Sequence, residues 1–383
     1  MKVPLLDLKL QYQSIKADII SALDGVYNDQ QFTLGPNVEK IEAEIAAYCG
    51  TDHAVGVSSG SDALLLALMA MDIKPGDTVI TTPYTFFATV GSICRLGATP
   101  LFVDIDPDTY NIDPQELSSR LESLPCSNHK KVKAIIPVHL YGQCADMEPI
   151  VQAARQTNIK VIEDAAQALG ASCTVNNRIK TACAMGDLGC ISFFPTKNLG
   201  CFGEGGMITT DDEETARKIR SLRVHGQADT YYHKYIGMNA RLEALQAAVL
   251  LVKLPRLNSW TRKRQENAAC YEKLFNEAGL EEQITLPCIK PGNNHVFNQY
   301  VIRASRRDDL KNHLEQNSVG CAIYYPLPLH LQECFRFLGY TACDFPESEK
   351  AAAETLALPV FPELSKAQIE YVVEQIRRFY DSF

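Results

Sequence analysis

The sequence predicts an α/β fold: a large domain built on a mostly parallel sheet flanked by helices, then a smaller α+β C-terminal domain. Three observations predict it. Short apolar runs alternate with helical patterns through most of the chain up to residue 250. Those runs are apolar at almost every position, as strands buried on both faces are. Beyond residue 240 the alternation gives way to long helices with few strands. The division is placed at residues 1–250 and 251–383. A chain of 383 residues has room for two or three domains of about 150 residues each.

Residues 12–26 have the spacing of an amphipathic helix, and 61–72 (SDALLLALMAMD) that of a buried one. The run TVITTP (78–83) is a strand, followed by a helix over 88–96 and the strand TPLFVDI (99–105). A helix near 113–123 leads to the strand KAIIPVHL (133–140), and one near 147–156 to the strand KVIEDA (160–165). CISFFP (190–195) and GMITT (206–210) add two strands. Residues 211–223 read as a helix whose acidic first turn suits the helix dipole. Residues 240–279 read as long helices interrupted at Pro255. In the C-terminal part, strands are expected at 297–304 and 319–325, and helices near 306–316, 347–357 and 365–380.

Apolar residues make up 46% of the chain and charged residues 22%, which excludes wholesale disorder. Lys and Arg number 37 against 46 Asp and Glu, a net charge of −9, with no long basic block. Nucleic acid is a poor partner for such a chain. No uncharged apolar run reaches the roughly 18 residues of a membrane span. Asp7 and Lys9 interrupt any secretory signal. The 13 cysteines form no C-x-x-C pair and no Cys/His metal spacing. A cytoplasmic location is expected, with reduced thiols packed mostly as small hydrophobes and no metal.

Three stretches carry chemistry. In SSGSDALLLAL (58–68), small residues lead into a helix N-terminus, where free N–H groups and the dipole suit a phosphate. Alone, the same stretch reads as a plain N-cap on Ser61 or Asp62. In VIEDAAQALGA (161–171), Asp164 ends an apolar strand, where ligands of open α/β sheets lie. It reads equally as a helix cap. In ISFFPTKNLGCFGEGGMITT (191–210), Lys197 follows a buried strand among Phe193, Phe194, Pro195 and Phe202. Desolvation lowers a lysine pKa and makes the amine a usable nucleophile. A lone lysine in a glycine-rich loop is ordinarily solvated. The loop has neither dinucleotide-fingerprint nor P-loop spacing. Together the three supply a phosphate cradle, a strand-end Asp and, 33 positions later, a Lys. That set is the protein signature of pyridoxal 5′-phosphate (PLP) chemistry.

The segments SSGSDALLLAL, TTPYTFFAT, VHLYGQCADM, EDAAQALGA, SFFPTKNLGCFGEGG and GMNARLEALQAA resemble the DegT/DnrJ/EryC1/StrS family. The likeness runs from VPLLDL (3–8) to YYPLPLHLQ (324–332). It implies a fold type I PLP enzyme with a seven-stranded sheet, aminating nucleotide-linked keto sugars. It implies that Lys197 holds the cofactor as a Schiff base and that Asp164 pairs with its pyridine nitrogen. Gln167 would contact the 3-hydroxyl side, and Phe86 would stack on the ring. Gly60, Ser61 and Ser192 would hold the phosphate. Asn239 would reach the cofactor phosphate of a neighbouring subunit, with Arg241 beside it for an anionic substrate group, which implies a homodimer with shared active sites. Tyr325 and His330 would face the sugar. Two departures stand out: Tyr324 where several members carry His, and Glu204 where many carry Asp. His139 and His225 read as structural.

The same resemblance implies L-glutamate as amino donor and ping-pong kinetics. Within the family, the best match is to enzymes acting at C3 of a UDP-linked 2-acetamido-3-keto sugar or uronic acid. A dTDP-linked 3-keto-6-deoxyhexose is the alternative. A sugar dehydratase on the same scaffold is disfavoured because Lys197 is present. A non-catalytic binding or regulatory protein is disfavoured because no basic DNA-reading element is found.

Overall fold

A computed structural model describes residues 1–124 and 131–382. Its centre is a seven-stranded sheet. The strands are β1 (His53–Val57), β2 (Thr78–Thr81), β3 (Thr99–Phe102), β4 (Val132–Ile135), β5 (Lys160–Asp164), β8 (Leu188–Ser192) and β9 (Gly206–Thr210). Between β5 and β8 lies a separate hairpin, β6 (Ser172–Val175) and β7 (Arg178–Thr181). The order across the sheet is β1-β9-β8-β5-β4-β2-β3. Only β9 runs against its neighbours, pairing Ile208 with both Val55 and Cys190. The sheet is therefore mostly parallel, as expected, and its strands are apolar on both faces. Ile135, Ile162, Ile191 and Ile208 are wholly buried. Each such side chain contributes about 1.5–3 kcal/mol by leaving water.

Each expected strand of this sheet forms, shorter by one to several residues at its carboxyl end in the parallel strands. The shortening has a cause. After β2, β4, β5 and β8 the chain leaves the ladder and runs into residues that line the site, among them Phe86, Leu140, Gln167 and Lys197. Elements that were not expected also form: β1, the hairpin β6–β7 and the helix Pro36–Cys49. That helix has Pro at its first turn, a left-handed Gly50 after it, and Val38, Ile41 and Ile45 on its buried face.

The long helices expected over 240–279, with a break at Pro255, form. The helix Ala244–Lys253 is interrupted over Leu254–Arg256 and resumes over Leu257–Ala278. A short exposed hairpin, β10 (Gln227–Asp229) and β11 (Tyr232–His233), precedes it. A three-stranded antiparallel sheet follows: β12 (Ile284–Thr285), β13 (Tyr300–Ala304) and β14 (Thr355–Leu358). It packs with the helices Arg307–Gln316 and Lys366–Asp381 around Tyr271, Phe275, Leu310, Val372 and Ile376, a core that also takes in Val3. The expected strand at 319–325 does not form. That segment makes only single bridges, Val3 with Val319 and Ala322 with Ala357. Gly320 lies so close to the backbone of Leu5 that a Cβ would meet its nitrogen at 2.5 Å. The carbonyl of Tyr324 is taken by tyrosine hydroxyls instead of a strand. The place in the sheet goes to β14, so the expected helix 347–357 ends at Glu354.

No helix among the described residues is long and apolar enough to cross a membrane. Of the cysteines, Cys49, Cys144, Cys173, Cys183, Cys190 and Cys201 are buried, while Cys288, Cys334 and Cys343 are exposed. Cys126 lies outside the described residues.

Candidate active site

The carboxyl ends of β5 and β8 and the start of the helix Gly60–Ala70 open onto one cavity of about 480 Å³. Asp164 is the last residue of β5. Its backbone is fixed on both sides: its N–H donates to Pro137 O and its carbonyl accepts from His139 N–H, both at 2.9 Å. Its Oδ2 accepts the Thr89 hydroxyl at 2.7 Å, and its Oδ1 accepts Ala166 N–H at 3.2 Å. Burial pushes the carboxyl pKa up; the Thr89 hydroxyl and the Ala166 N–H pull it back. A buried carboxylate so placed is stabilised by gaining a cationic partner.

Lys197 lies on the turn after β8. Burial pulls its ammonium down to about 8, against the opposing charge of Asp164. Its Nζ makes no hydrogen bond among the described residues. The amine is therefore available as a nucleophile or base near neutral pH. The loop that follows is fastened from behind. Lys253 Nζ donates to Gly200 O at 2.6 Å, and Gln246 Oε1 accepts Phe202 N–H at 2.9 Å.

The cradle is made by Ser59, Gly60, Ser61 and Ser192. Ser59 caps the helix, its hydroxyl accepting Asp62 N–H at 3.1 Å. This corrects the reading of Ser61 or Asp62 as the cap: both lie inside the first turn. A Cβ on Gly60 would sit 2.6 Å from Ser192 Cβ, and one on Gly206 would sit 2.4 Å from Ser59 O. Only glycine lets the helix start close down on the end of β8.

The walls are aromatic. Phe86 lines the cavity with 56% of its surface exposed, its ring 6.0 Å from that of Tyr325. Its neighbours face elsewhere: Phe87 stacks on Phe335, and Tyr84 is 0% exposed. Gln167 also lines the cavity, donating to Tyr325 Oη at 3.1 Å. Behind β5, Glu163 is wholly buried and accepts from the backbone N–H of Cys183, Met185 and Gly186. His139 Nε2 lies 2.9 Å from Glu163, and His139 Nδ1 accepts Ala145 N–H. His139 is thus committed to the scaffold.

Gly60, Ser61, Phe86, Asp164, Gln167, Ser192, Lys197 and Tyr325 are brought together here. Three expected residues are not. His330 is 1% exposed, held by Glu349 at 3.1 Å and by the edge of Phe345, so it does not face this cavity. Asn239 is exposed and Arg241 half-buried on the stretch that bridges to Val224 and Val57, outside the cavity. Sequence reasoning missed Thr89, Tyr141 and Gln299. Thr89 had a weak signal, since it is a polar residue among the buried residues of the helix Phe87–Arg95, 3.0 Å from the Thr85 hydroxyl before that helix. Nothing local pairs Thr89 with Asp164, 75 positions away.

The model of the DegT/DnrJ/EryC1/StrS aminotransferase family matches residues 13–377. The chain belongs to that family. A "Pleiotropic regulatory protein" of Geobacillus stearothermophilus is 50% identical over the full length of both chains. A "UDP-N-acetyl-3-dehydro-alpha-D-glucosamine 3-aminotranferase" of Acidithiobacillus ferrooxidans is 40% identical over 98% of this chain and 97% of its own. Among solved structures, S. venezuelae DesV in complex with a ketimine intermediate superposes with a TM-score of 0.92. It is 38% identical, over 99% of this chain and 98% of that one. This chain is an aminotransferase, and its cofactor is PLP. The residues present fit that group. Asp164 is a buried carboxylate for a pyridinium, Lys197 a depressed amine for an aldehyde, and the Gly60 helix start a nest of N–H groups for a phosphate.

Proposed function

We propose that this family member moves an amino group from L-glutamate to C3 of a UDP-linked 2-acetamido-3-keto sugar or uronic acid. The observation that carries the reading is the convergence of Lys197, Asp164 and the Gly60–Ser192 cradle on one cavity. When bound, the cofactor supplies an electron sink for the carbanion formed at the donor Cα. Lys197 Nζ takes the proton from that carbon and returns it at the other end of the exchange, a task suited to an amine near pKa 8. Asp164 holds the pyridine nitrogen protonated. Phe86 covers one face of the ring, and Ser61 and Ser192 hold the phosphate. Tyr325 faces the sugar. The 40% identity to a 3-aminotransferase of a UDP-linked 3-keto sugar supports the position and the nucleotide.

Asn239 and Arg241 have a use in a homodimer, where their stretch completes the site of the second subunit. The regulatory name borne by the Geobacillus relative is not the reading favoured here. Lys197, Asp164 and the cradle are all retained, and a regulator has no use for a depressed lysine.

The test is an absorption spectrum with and without L-glutamate, then turnover with UDP- and dTDP-linked 3-amino sugars run backwards onto 2-oxoglutarate. A visible band that glutamate bleaches, and turnover confined to the UDP sugar, are expected. Lys197→Ala should abolish turnover and the bleaching by glutamate, while still permitting cofactor binding. Turnover of Lys197→Ala at the wild-type rate, or preference for the dTDP sugar, sinks the assignment.

A further inference from the structure

Four tyrosines from distant parts of the chain meet at one wall of the cavity. Tyr84 follows β2, Tyr141 follows β4, and Tyr324 and Tyr325 lie in the segment before the helix Pro346–Glu354. Tyr84 and Tyr141 are buried. The carbonyl of Tyr324 accepts from the Tyr84 hydroxyl at 2.8 Å and from the Tyr141 hydroxyl. The Tyr84 oxygen in turn accepts Tyr325 N–H at 3.2 Å and lies 2.8 Å from the Thr355 hydroxyl. The Tyr141 hydroxyl also lies 3.1 Å from the Tyr84 oxygen. A phenol has one proton to donate and two lone pairs to accept with. With the protons of Tyr84 and Tyr141 both given to Tyr324 O, the lone pairs of Tyr84 are filled by Tyr325 N–H and the Thr355 hydroxyl, and the approach of Tyr141 to Tyr84 carries no proton of its own.

Gln167 extends the arrangement. Its Oε1 accepts Tyr141 N–H at 2.7 Å, which fixes which end of the amide points which way. Its Nε2 then faces Tyr325 Oη and donates to it at 3.1 Å. Tyr325 therefore accepts from Gln167, and its own proton has no acceptor among the described residues. Tyr325 lines the cavity, so that proton is available to a bound molecule. Burial pushes the phenols of Tyr84, Tyr141 and Tyr325 up, so all three keep their protons at neutral pH. Tyr141 adopts a left-handed backbone (φ 59°), rare for a residue with a side chain, and from it reaches both Gln167 and Tyr324.

We propose that Tyr84 and Tyr141 are positioning residues. Through the Tyr324–Tyr325 peptide and Gln167, they hold the Tyr325 hydroxyl as a hydrogen-bond donor to an oxygen of the bound molecule. The inference rests on reading this cavity as a PLP-dependent sugar aminotransferase site. The acceptor is an oxygen of the cofactor or of the sugar, and the test separates the two.

Tyr84→Phe, Tyr141→Phe, Tyr325→Phe and the double variant Tyr141→Phe/Tyr325→Phe keep every ring. Two quantities are read on the holoenzyme. One is the pH midpoint of the visible band without substrate. The other is KM against kcat for a UDP-linked 2-acetamido-3-amino sugar run backwards onto 2-oxoglutarate. Tyr325→Phe should move the midpoint if the acceptor belongs to the cofactor. It should raise KM by about fivefold if the acceptor belongs to the sugar. Tyr141→Phe should move the same quantity in the same direction, and the double variant no further than Tyr325→Phe alone. Should Tyr84→Phe fail to fold, Tyr141→Phe keeps the test, because Tyr84 still holds Tyr325 N–H. Effects that multiply in the double variant, or a Tyr141→Phe that lowers only the melting temperature, overturn the proposal. A wild-type protein with no visible band overturns the underlying reading instead.

Discussion

Thr89 donates its hydroxyl proton to Asp164 Oδ2 across 2.7 Å of buried interior. The helix Phe87–Arg95 thereby holds the acidic end of β5, and Phe86, its N-cap, stands at the cavity wall. The carboxylate is aimed by a residue that needs no contact with any ligand. A hydrogen bond to a charged group is worth about 1.5–3 kcal/mol. Thr89→Val removes the largest of the contributions that pull the Asp164 carboxyl down, so its pKa rises further. The pyridine nitrogen is then held protonated less well. We expect kcat to fall by roughly tenfold, with Thr89→Ser restoring most of it. A kcat within twofold of wild type in Thr89→Val would falsify this role.

Gly60→Ala places a Cβ 2.6 Å from that of Ser192, at the mouth of the cradle. Overpacking of this kind costs about 1–3 kcal/mol. Titration of the cofactor-free protein with PLP should show affinity reduced by about tenfold or more. Unchanged affinity would remove the phosphate from this helix start.

Buried thiols and buried lysines push the pH dependence of the cofactor-free protein in opposite directions. The neighbouring thiols of Cys173 and Cys49, and then burial, raise Cys144 and Cys183 well above their ordinary value; burial does the same to Cys190, and moves Cys94 and Cys321 up to about 11 and Cys201 up to about 12. Unfolded thiols ionise near 8.5. Above that pH the unfolded state has lost protons that the folded state keeps, so stability falls as pH rises. Lys197 and Lys253, pulled down to about 8 by burial, work the other way between pH 8 and the unfolded lysine value of about 10.4. The thiols outnumber the lysines. Urea unfolding under reductant should show a net loss of stability from pH 8 to 10. Lys253→Met, which removes an opposing contribution, should make the loss steeper. A shallower loss in that variant would contradict the assignment.

Arg223 and Glu42 form a buried ion pair that joins the helix Pro36–Cys49 to β1. Arg223 Nη1 donates to Glu42 Oε1 and to Gly56 O, and the same Glu42 oxygen accepts Gly56 N–H at 2.8 Å. Removing one partner leaves a buried charge alone, at a cost of about 3–5 kcal/mol. Arg223→Met should therefore unfold at markedly lower urea, and the double variant with Glu42→Met should recover part of the loss. Equal stability of Arg223→Met and wild type would count against the pair.

Much of the fold was legible because it rests on local patterns. The apolar runs around Ile80, Ile135 and Ile162 could only be doubly buried strands, and Pro255 marked the break between two long helices. Lys197, Asp164 and Gly60 were legible because the family segments surround them. What failed was non-local. The expectation of a strand at 319–325 took a β-rich composition for a ladder, but the ladder partner was already occupied by Thr355–Leu358. His330 sat in a matching segment, yet its ring is turned to Glu349. Thr89 and Tyr141 act through partners that no window of sequence contains.

Tyr84 and the carbonyl it binds on Tyr324 are 240 positions apart. During synthesis, Gly60, Asp164, Ser192 and Lys197 all emerge from the ribosome well before that carbonyl does. The nascent chain thus carries the lysine, the carboxylate and the phosphate cradle while one wall is still missing and two tyrosine hydroxyls still point at water. Closure of the site waits for the 324–325 peptide, so a complete pocket reports that the chain has been made at least through Tyr325 and has docked.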